Sequence, residues 1–291
     1  MRARRCVAVA LALLAALALA ACGGGGETDR TPGLSPAQIL ERARAEAAAL
    51  TSYRVGLTAD LQVTAAPGAL PPAAQSLLGD RLELNGQATL RRPDALSLDF
   101  AVAGLPFQGN LTAVEGKLYL SVLGNDLQLL VPPEQLAQIR PAEFAPTLLS
   151  WIVNPREVGR ESIDGAPTVH LEGALDAGAV VDDVAGLLRQ FPGVVGGTPS
   201  PAELARARRQ IRAALRRGTA DVWVGTGDLR PHRVRIGIAL AGRLDVLPQV
   251  SAASLDLVAD LSRFDEPVEI AAPSNPRPVT PDALLRLIGA A

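Results

Sequence analysis

Tyr53-Arg54-Val55-Gly56-Leu57-Thr58-Ala59-Asp60-Leu61-Gln62-Val63 alternates without a break: the odd positions are apolar and the even ones polar, charged or glycine. Period two sends successive side chains to opposite faces of an extended chain. The run therefore predicts an antiparallel strand that is dry on one side and wet on the other. Leu82 to Leu90 repeats the pattern, and Ala95–Val102, Phe107–Val114 and Lys117–Val122 follow at close spacing. Arg92-Pro93-Asp94, Gly104-Leu105-Pro106 and Glu115-Gly116 separate them. Short strands between tight turns predict a meander.

Upstream of this run the spacing predicts a helix over residues 36–51. Ser35 is an N-cap, Pro36 takes the first helical position and Gln38 completes a capping box, while Ile39, Ala43, Ala47 and Leu50 share one face. Downstream, residues 132–154 are apolar and broken by prolines, which predicts short helices packed on the sheet. A strand pair is expected over 158–163 and 168–175, turning at Asp164-Gly165. Asp176 then caps a helix, residues 193–200 break it, and a second helix runs over 201–217. Strands resume at 221–224, 232–240 and 254–261, and Val268-Glu269-Ile270 is expected to close the set.

The N-terminus has its own chemistry. Arg2, Arg4 and Arg5 precede an apolar run from Val7 to Ala21, and Leu19-Ala20-Ala21-Cys22 places a cysteine directly after small residues. This is the order of a secretory signal peptide whose cleavage leaves an acylated Cys22 as the new N-terminus of a lipoprotein. The run is shorter than the roughly 20 residues of a membrane-spanning helix. Gly23 to Gly26 and the polar residues after them read as a flexible tether. The expected organisation is a signal peptide over 1–21, an acylated cysteine and tether over 22–34, one domain over 35–272, and a proline-rich tail with a short helix over 273–291. The expected location is outside the cytoplasm, on the cell membrane, with a lipid such as palmitate on Cys22.

Composition excludes several classes. The chain has 2 cysteines and a net charge of -2. Cys6 leaves with the signal peptide and Cys22 is consumed by acylation, so neither a disulfide nor a cysteine metal site is expected. The charge gives no ground for nucleic-acid binding. Aromatics are 3%, so the interior must be built from Val, Leu, Ile and Ala.

Read together, several short motifs carry a resemblance. A lipobox and tether lead to Ala49-Leu50-Thr51-Ser52-Tyr53-Arg54-Val55, where a helix runs straight into a strand. Val114-Glu115-Gly116-Lys117-Leu118-Tyr119-Leu120 follows in the meander. Then come Val158-Gly159-Arg160-Glu161-Ser162-Ile163-Asp164-Gly165, Ala220-Asp221-Val222-Trp223-Val224 with its Gly227-Asp228-Leu229 turn, and Phe264-Asp265-Glu266-Pro267-Val268-Glu269-Ile270. Nearly the whole mature chain resembles the mycobacterial-type LppX/LprA/LprF/LprG lipoprotein family. The resemblance implies an α+β fold in which a curved antiparallel sheet, an incomplete β-barrel, has helices over its concave face and an apolar cavity between them. It also implies binding of a lipid or glycolipid by its acyl chains for transport or presentation, by a monomer, with a membrane transporter as a further partner. The loop over residues 70–80 and the segment over 193–217 are longer than the family pattern.

Candidate lining residues for that cavity are Val55, Leu57, Leu84, Leu98, Phe100, Leu118 and Leu120 on strands, Val184, Leu187 and Leu188 on a helix, and Trp223. Such a lining binds by area, at roughly 25 cal/mol per Å² of apolar surface removed from water. Two alternatives stand beside it. One is a solid core with no ligand, in a lipoprotein that displays a surface to a protein partner. The other is a carrier like the LolA and LolB proteins, whose cargo is other lipoproteins. Trp223 itself lies opposite Val222 and Val224, facing either the cavity or the outer surface.

No cofactor, metal or catalysis is expected. The 2 histidines stand apart: His170 alternates with Val169 and Leu171 and points to solvent with Thr168 and Glu172, and His232 begins a strand. The chain contains no Gly-x-Ser-x-Gly elbow, His-Glu-x-x-His helix or phosphate loop. The helix over 201–217 carries six arginines. Arg206, Arg209, Arg212 and Arg216 are candidates for contact with anionic lipid headgroups, worth roughly 1 kcal/mol each near the surface. The alternative is an ordinary solvated face.

Overall fold

The alternating run lies inside β1 (Ser52–Ala65), the central strand of a twelve-stranded sheet. The computed structural model describes residues 28–65, 81–103, 107–132, 136, 143–190, 200–242, 250–280 and 283–284. After β1 come β2 (Arg81–Arg91), β3 (Ala95–Val102), β4 (Phe107–Val114), β5 (Lys117–Val122) and β6 (Asn125–Leu129). β7 (Ile152–Ile163), β8 (Ala166–Leu175), β9 (Leu215–Gly225), β10 (Pro231–Ala241), β11 (Val250–Ser262) and β12 (Arg277–Val279) complete the strands. Among the described residues four helices join them: α1 (Pro36–Ala49), α2 (Phe144–Ser150), α3 (Ala177–Gln190) and α4 (Pro201–Ala214).

The strand order is β12-β6-β5-β4-β3-β2-β1-β11-β10-β9-β8-β7. Every pairing is antiparallel except that of β12 with β6. β12 and β7 stand at opposite ends, so the sheet stays open. The expected α+β class with an unclosed antiparallel sheet is what the chain forms.

Alternation decides the faces. Tyr53 and Val55 of β1 are 1% exposed, and directly paired residues share their face. Across the register this face collects Ala88 and Leu90 of β2, Leu261 and Ala259 of β11, Val234 and Ile236 of β10, and Val222 and Ala220 of β9. Ile39, Leu40, Ala43 and Ala47 of α1 and Ala145, Leu148 and Leu149 of α2 pack onto them in one cluster. A smaller cluster joins Ala95, Val114, Tyr119 and Ile270.

Local chemistry accounts for the ends. Ser35 and Gln38 form the expected box: the Gln38 N–H donates to Ser35 Oγ at 3.3 Å and the Ser35 N–H to Gln38 Oε1 at 2.9 Å. Asp176 Oδ1 accepts from the Gly178 and Ala179 N–H groups at 2.8 and 3.2 Å, capping α3. Asp164 and Gly165 have φ of 49° and 85°, the left-handed pair that a two-residue hairpin matching the strand twist requires.

Four expectations change. β6 was not expected: its hairpin turns on Leu123 and Gly124, and a leucine at φ 50° gives no turn signal. The strand after α2 begins at Ile152, within the stretch expected to be helical. The last long helix stops at Ala214, so Arg216 and Arg217 are strand residues of β9. Val268 to Ile270 is not a strand; Ile270 is buried as a plug beside Tyr119, and Arg277–Val279, placed by the sequence in the tail, adds the edge strand. The expected long loop over 70–80 and the break over 193–199 lie outside the described residues.

Arg44 ties α1 to α2. Its Nη2 donates to the Leu149 carbonyl at 3.1 Å and to the Ile152 carbonyl at 2.7 Å, and its Nε donates to Leu149 at 3.2 Å. These carbonyls lie at and just beyond the last turn of α2, where a helix leaves its carbonyls short of i+4 donors. Arg44→Ala should therefore lower unfolding free energy by about 1.5–3 kcal/mol. Arg44→Lys should recover less than half, since an ammonium cannot reproduce the fork. Urea denaturation midpoints measure both; equal midpoints for Arg44→Lys and the parent would show that charge alone suffices.

Candidate functional site

Beyond the area under α1 and α2, the same sheet face remains apolar. Leu57 and Leu98 are half-buried and pack against the main cluster. Leu61, Leu84, Leu111, Leu240 and Leu255 are half-buried too, yet they join no packed cluster of described residues, and Phe100 lies half-buried beside them. The register makes them neighbours: Leu61 pairs with Leu255, Gly86 with Phe100, and Leu98 with Leu111. Phe100 lies over the backbone of β4, because a Cβ on Gly109 would stand 2.8 Å from its ring. The result is a broad apolar surface of branched side chains.

The structure brings Leu57, Leu84, Leu98, Phe100, Leu118 and Leu120 together on this face. Leu118 is buried, and Leu120 packs beside Val122, Leu127 and Val279. Val55 is a solid-core residue, fully buried in the cluster that α1 and α2 share with the sheet. The side chains of Val184, Leu187 and Leu188, on α3, lie outside the described residues. Leu61, Leu111, Leu240 and Leu255 were missed, although their alternation is plain; choosing them required knowing where the helices stop covering the sheet.

Trp223 is a correction. It projects from the opposite face, with its ring stacked on His170 at a centroid distance of 4.2 Å and an interplanar angle of 12°. Its Nε1 donates to Glu161 at 2.5 Å, and the Arg233 guanidinium lies 5.9 Å from its ring centre. His170 points away from the core as its alternation demands, but the indole covers it and Asp221 Oδ1 stands 2.9 Å from its Nε2. Thr168 is buried at 1% exposure rather than solvated. His232 is also mostly covered, 3.2 Å from Asp228 and edge-on to Phe264. Burial opposes ionisation of Asp228, but hydrogen bonds from His232 and the Arg230 N–H outweigh it and hold the carboxyl below its ordinary range.

Arg206, Arg209 and Arg212 are exposed on α4, and Arg216 is exposed on β9. Among the described residues none of the four makes an ion pair. Arg208 pairs with Asp182 of α3, and Arg217 with Asp256 of β11 at 2.8 Å. The basic surface is therefore split between a helix and a strand. Among the described residues no helix is long and apolar enough to cross a membrane, and no three metal-ligating side chains are grouped.

No protein-family model matches the chain, and no curated protein sequence does. Among solved structures it is similar to LprF from Mycobacterium bovis at 17% identity, over 83% of this chain and 100% of that one, with a TM-score of 0.47. It is similar to the lipoprotein LppX of Mycobacterium tuberculosis at 17% identity, over 80% and 96% of the two chains, with a TM-score of 0.41. A LolA superfamily protein from Nitrosomonas europaea is similar at 11% identity over 81% and 96%, with a TM-score of 0.26.

Proposed function

We propose that this protein is a membrane-anchored envelope lipoprotein that holds the acyl chains of a lipid or glycolipid against the apolar face of its sheet and carries or presents that lipid. The observation behind this reading is the continuation of the apolar face past α1 and α2, in half-buried side chains such as Leu61, Leu84 and Leu255 that join no packed cluster of described residues. Contiguous apolar surface of that kind marks a binding site in a soluble domain. The lipobox at Cys22 and the sequence resemblance point the same way. The role is binding rather than catalysis, with His170 and His232 serving as structural partners of Trp223 and Asp228.

Organic extraction of the purified protein followed by mass spectrometry tests the ligand. A stoichiometric lipid in the extract is expected, distinct from acyl chains bonded to Cys22, which stay with the polypeptide. An empty extract, together with no binding of a fluorescent fatty-acyl probe at micromolar concentration, would remove the proposal in favour of a solid-core interaction protein. The anchor has its own test. Cys22→Ser should abolish both the acyl mass on the N-terminal peptide and cleavage after Ala21, whereas a mature N-terminus that persists in the variant would exclude lipoprotein processing.

A further inference from the structure

A second surface lies on the other side of the sheet. Gly56 faces away from the helices, pairing with Asp260 on β11 and with Gln87 on β2, and the row continues through Asp99 and Asn110 to Ser121 and Asp126. Seven strands at about 4.8 Å spacing make this row about 29 Å long. An open trough of about 1040 Å³ follows it, floored at Gly56 and flanked by Thr58, Asn85 and Gln108 from the next row and by the Leu123–Asn125 turn.

Gly56 has no structural reason to be glycine. Its φ is ordinary, and among the described residues a Cβ there would meet nothing closer than Asp260 Cβ at 3.9 Å. Gly86 and Gly109 differ: on the opposite face, added Cβ atoms would stand 3.1 Å from the Asp99 carbonyl and 2.8 Å from the Phe100 ring. Gly159, at the far end of the same row, sits at a register shift of edge strand β7. A glycine inside a central strand weakens it, and where sterics do not demand it, close approach of another molecule explains it.

The lining selects the ligand. Among the described residues it contains no lysine or arginine, three carboxylates (Asp99, Asp126, Asp260) and four amides (Asn85, Gln87, Gln108, Asn125). Asp260 is ion-paired with Arg233 from outside the trough, Asp99 accepts from Asn110 at 2.9 Å and Asp126 from Ser121 at 2.5 Å, while the Gln87 and Gln108 amides have no partner among the described residues. Amides that donate and accept, beside acceptor carboxylates, match neighbouring hydroxyls, and the charge of Asp99 and Asp126, neither of which has an ion pair among the described residues, turns away phosphate and carboxylate chains. We infer that this trough binds a linear neutral glycan, independently of the acyl face. The sheet separates the two surfaces, so the occupant is a free saccharide chain rather than the headgroup of a lipid seated on the other side.

Gly56→Leu tests this, because the new side chain enters the trough where there is room for it. Purified full-length protein in a sugar-free detergent is probed on an array of neutral linear oligosaccharides, with hexalysine as a competing class and a fluorescent fatty-acyl probe in parallel. Binding of at least one neutral oligosaccharide is expected, weakened at least tenfold in Gly56→Leu and in the Gln87→Ala/Gln108→Ala double variant, with thermal melting undiminished and acyl-probe binding equal to the parent's. Absence of glycan binding by the parent, binding undiminished in Gly56→Leu, or loss of hexalysine binding alone would each overturn the inference. Loss of acyl-probe binding in the parent would bear on the acyl face only.

Discussion

Tyr53→Ala is expected to destabilise the protein by about 3–5 kcal/mol, the cost of removing a buried aromatic ring. Tyr53 is 1% exposed at the start of β1, within the cluster that joins α1, α2 and the sheet. Its hydroxyl accepts the Ala145 N–H at 3.3 Å, so one side chain both fills the core and satisfies the first turn of α2. Tyr53→Phe keeps the ring but leaves that N–H without its acceptor, and should cost about 1–3 kcal/mol. The same residue gives an alkaline signature. Burial pushes its hydroxyl up to about 12 from 10.0. Above pH 10 the unfolded chain releases this proton while the folded chain keeps it, so stability falls as pH rises from about 10 to about 12, by up to about 1.4 kcal/mol per pH unit. The stabilising difference between the parent and Tyr53→Phe should shrink over that window in urea titrations. Parallel losses in the two proteins would show that Tyr53 ionisation is not what opens the fold.

Leu84→Glu should weaken fatty-acyl probe binding at least tenfold, about 1.4 kcal/mol, while moving the melting temperature little. Leu84 stands among the half-buried residues of the proposed acyl face and joins no packed cluster of described residues. A carboxylate there must be desolvated by an arriving acyl chain, or neutralised first, and either costs affinity. Asn85→Glu is the matched control. It adds the same charge one residue along, hence on the opposite face of the sheet. Its acyl affinity should equal the parent's. Equal losses in the two variants would mean that acyl chains do not lie on the face carrying Leu84.

Much of the architecture was legible locally. β1 to β5 fall where period two put them, since alternation records burial on one side and water on the other. The α1 cap was legible because Ser35 and Gln38 act across three residues. β6 was not, for its turn at Leu123 and Gly124 lacks the asparagine or aspartate that makes a left-handed pair readable. Arg216 was read as helical because arginine and leucine suit either state, and pairing of Leu215 with Leu240 on β10 decides for strand. The site was half legible: alternation marked Leu57, Leu84, Leu98, Phe100 and Leu120, but placed Trp223 no better than on one of two faces.

By itself the sequence determined the strand period, the helix caps, the hairpin at Asp164-Gly165 and an aliphatic interior, because each depends on residues within a few positions of one another. Only the tertiary structure decided that β1 lies between β2 and β11, with Val55 opposite Leu261. That pairing joins segments some two hundred residues apart, and any of the alternating strands would have satisfied β1 equally well in local terms. The neighbours chosen settle which end of the apolar face α1 and α2 cover and which end they leave open. They also align Gly56, Gln87 and Asp99 into one row, since a row across a sheet exists only once the register of every strand is set.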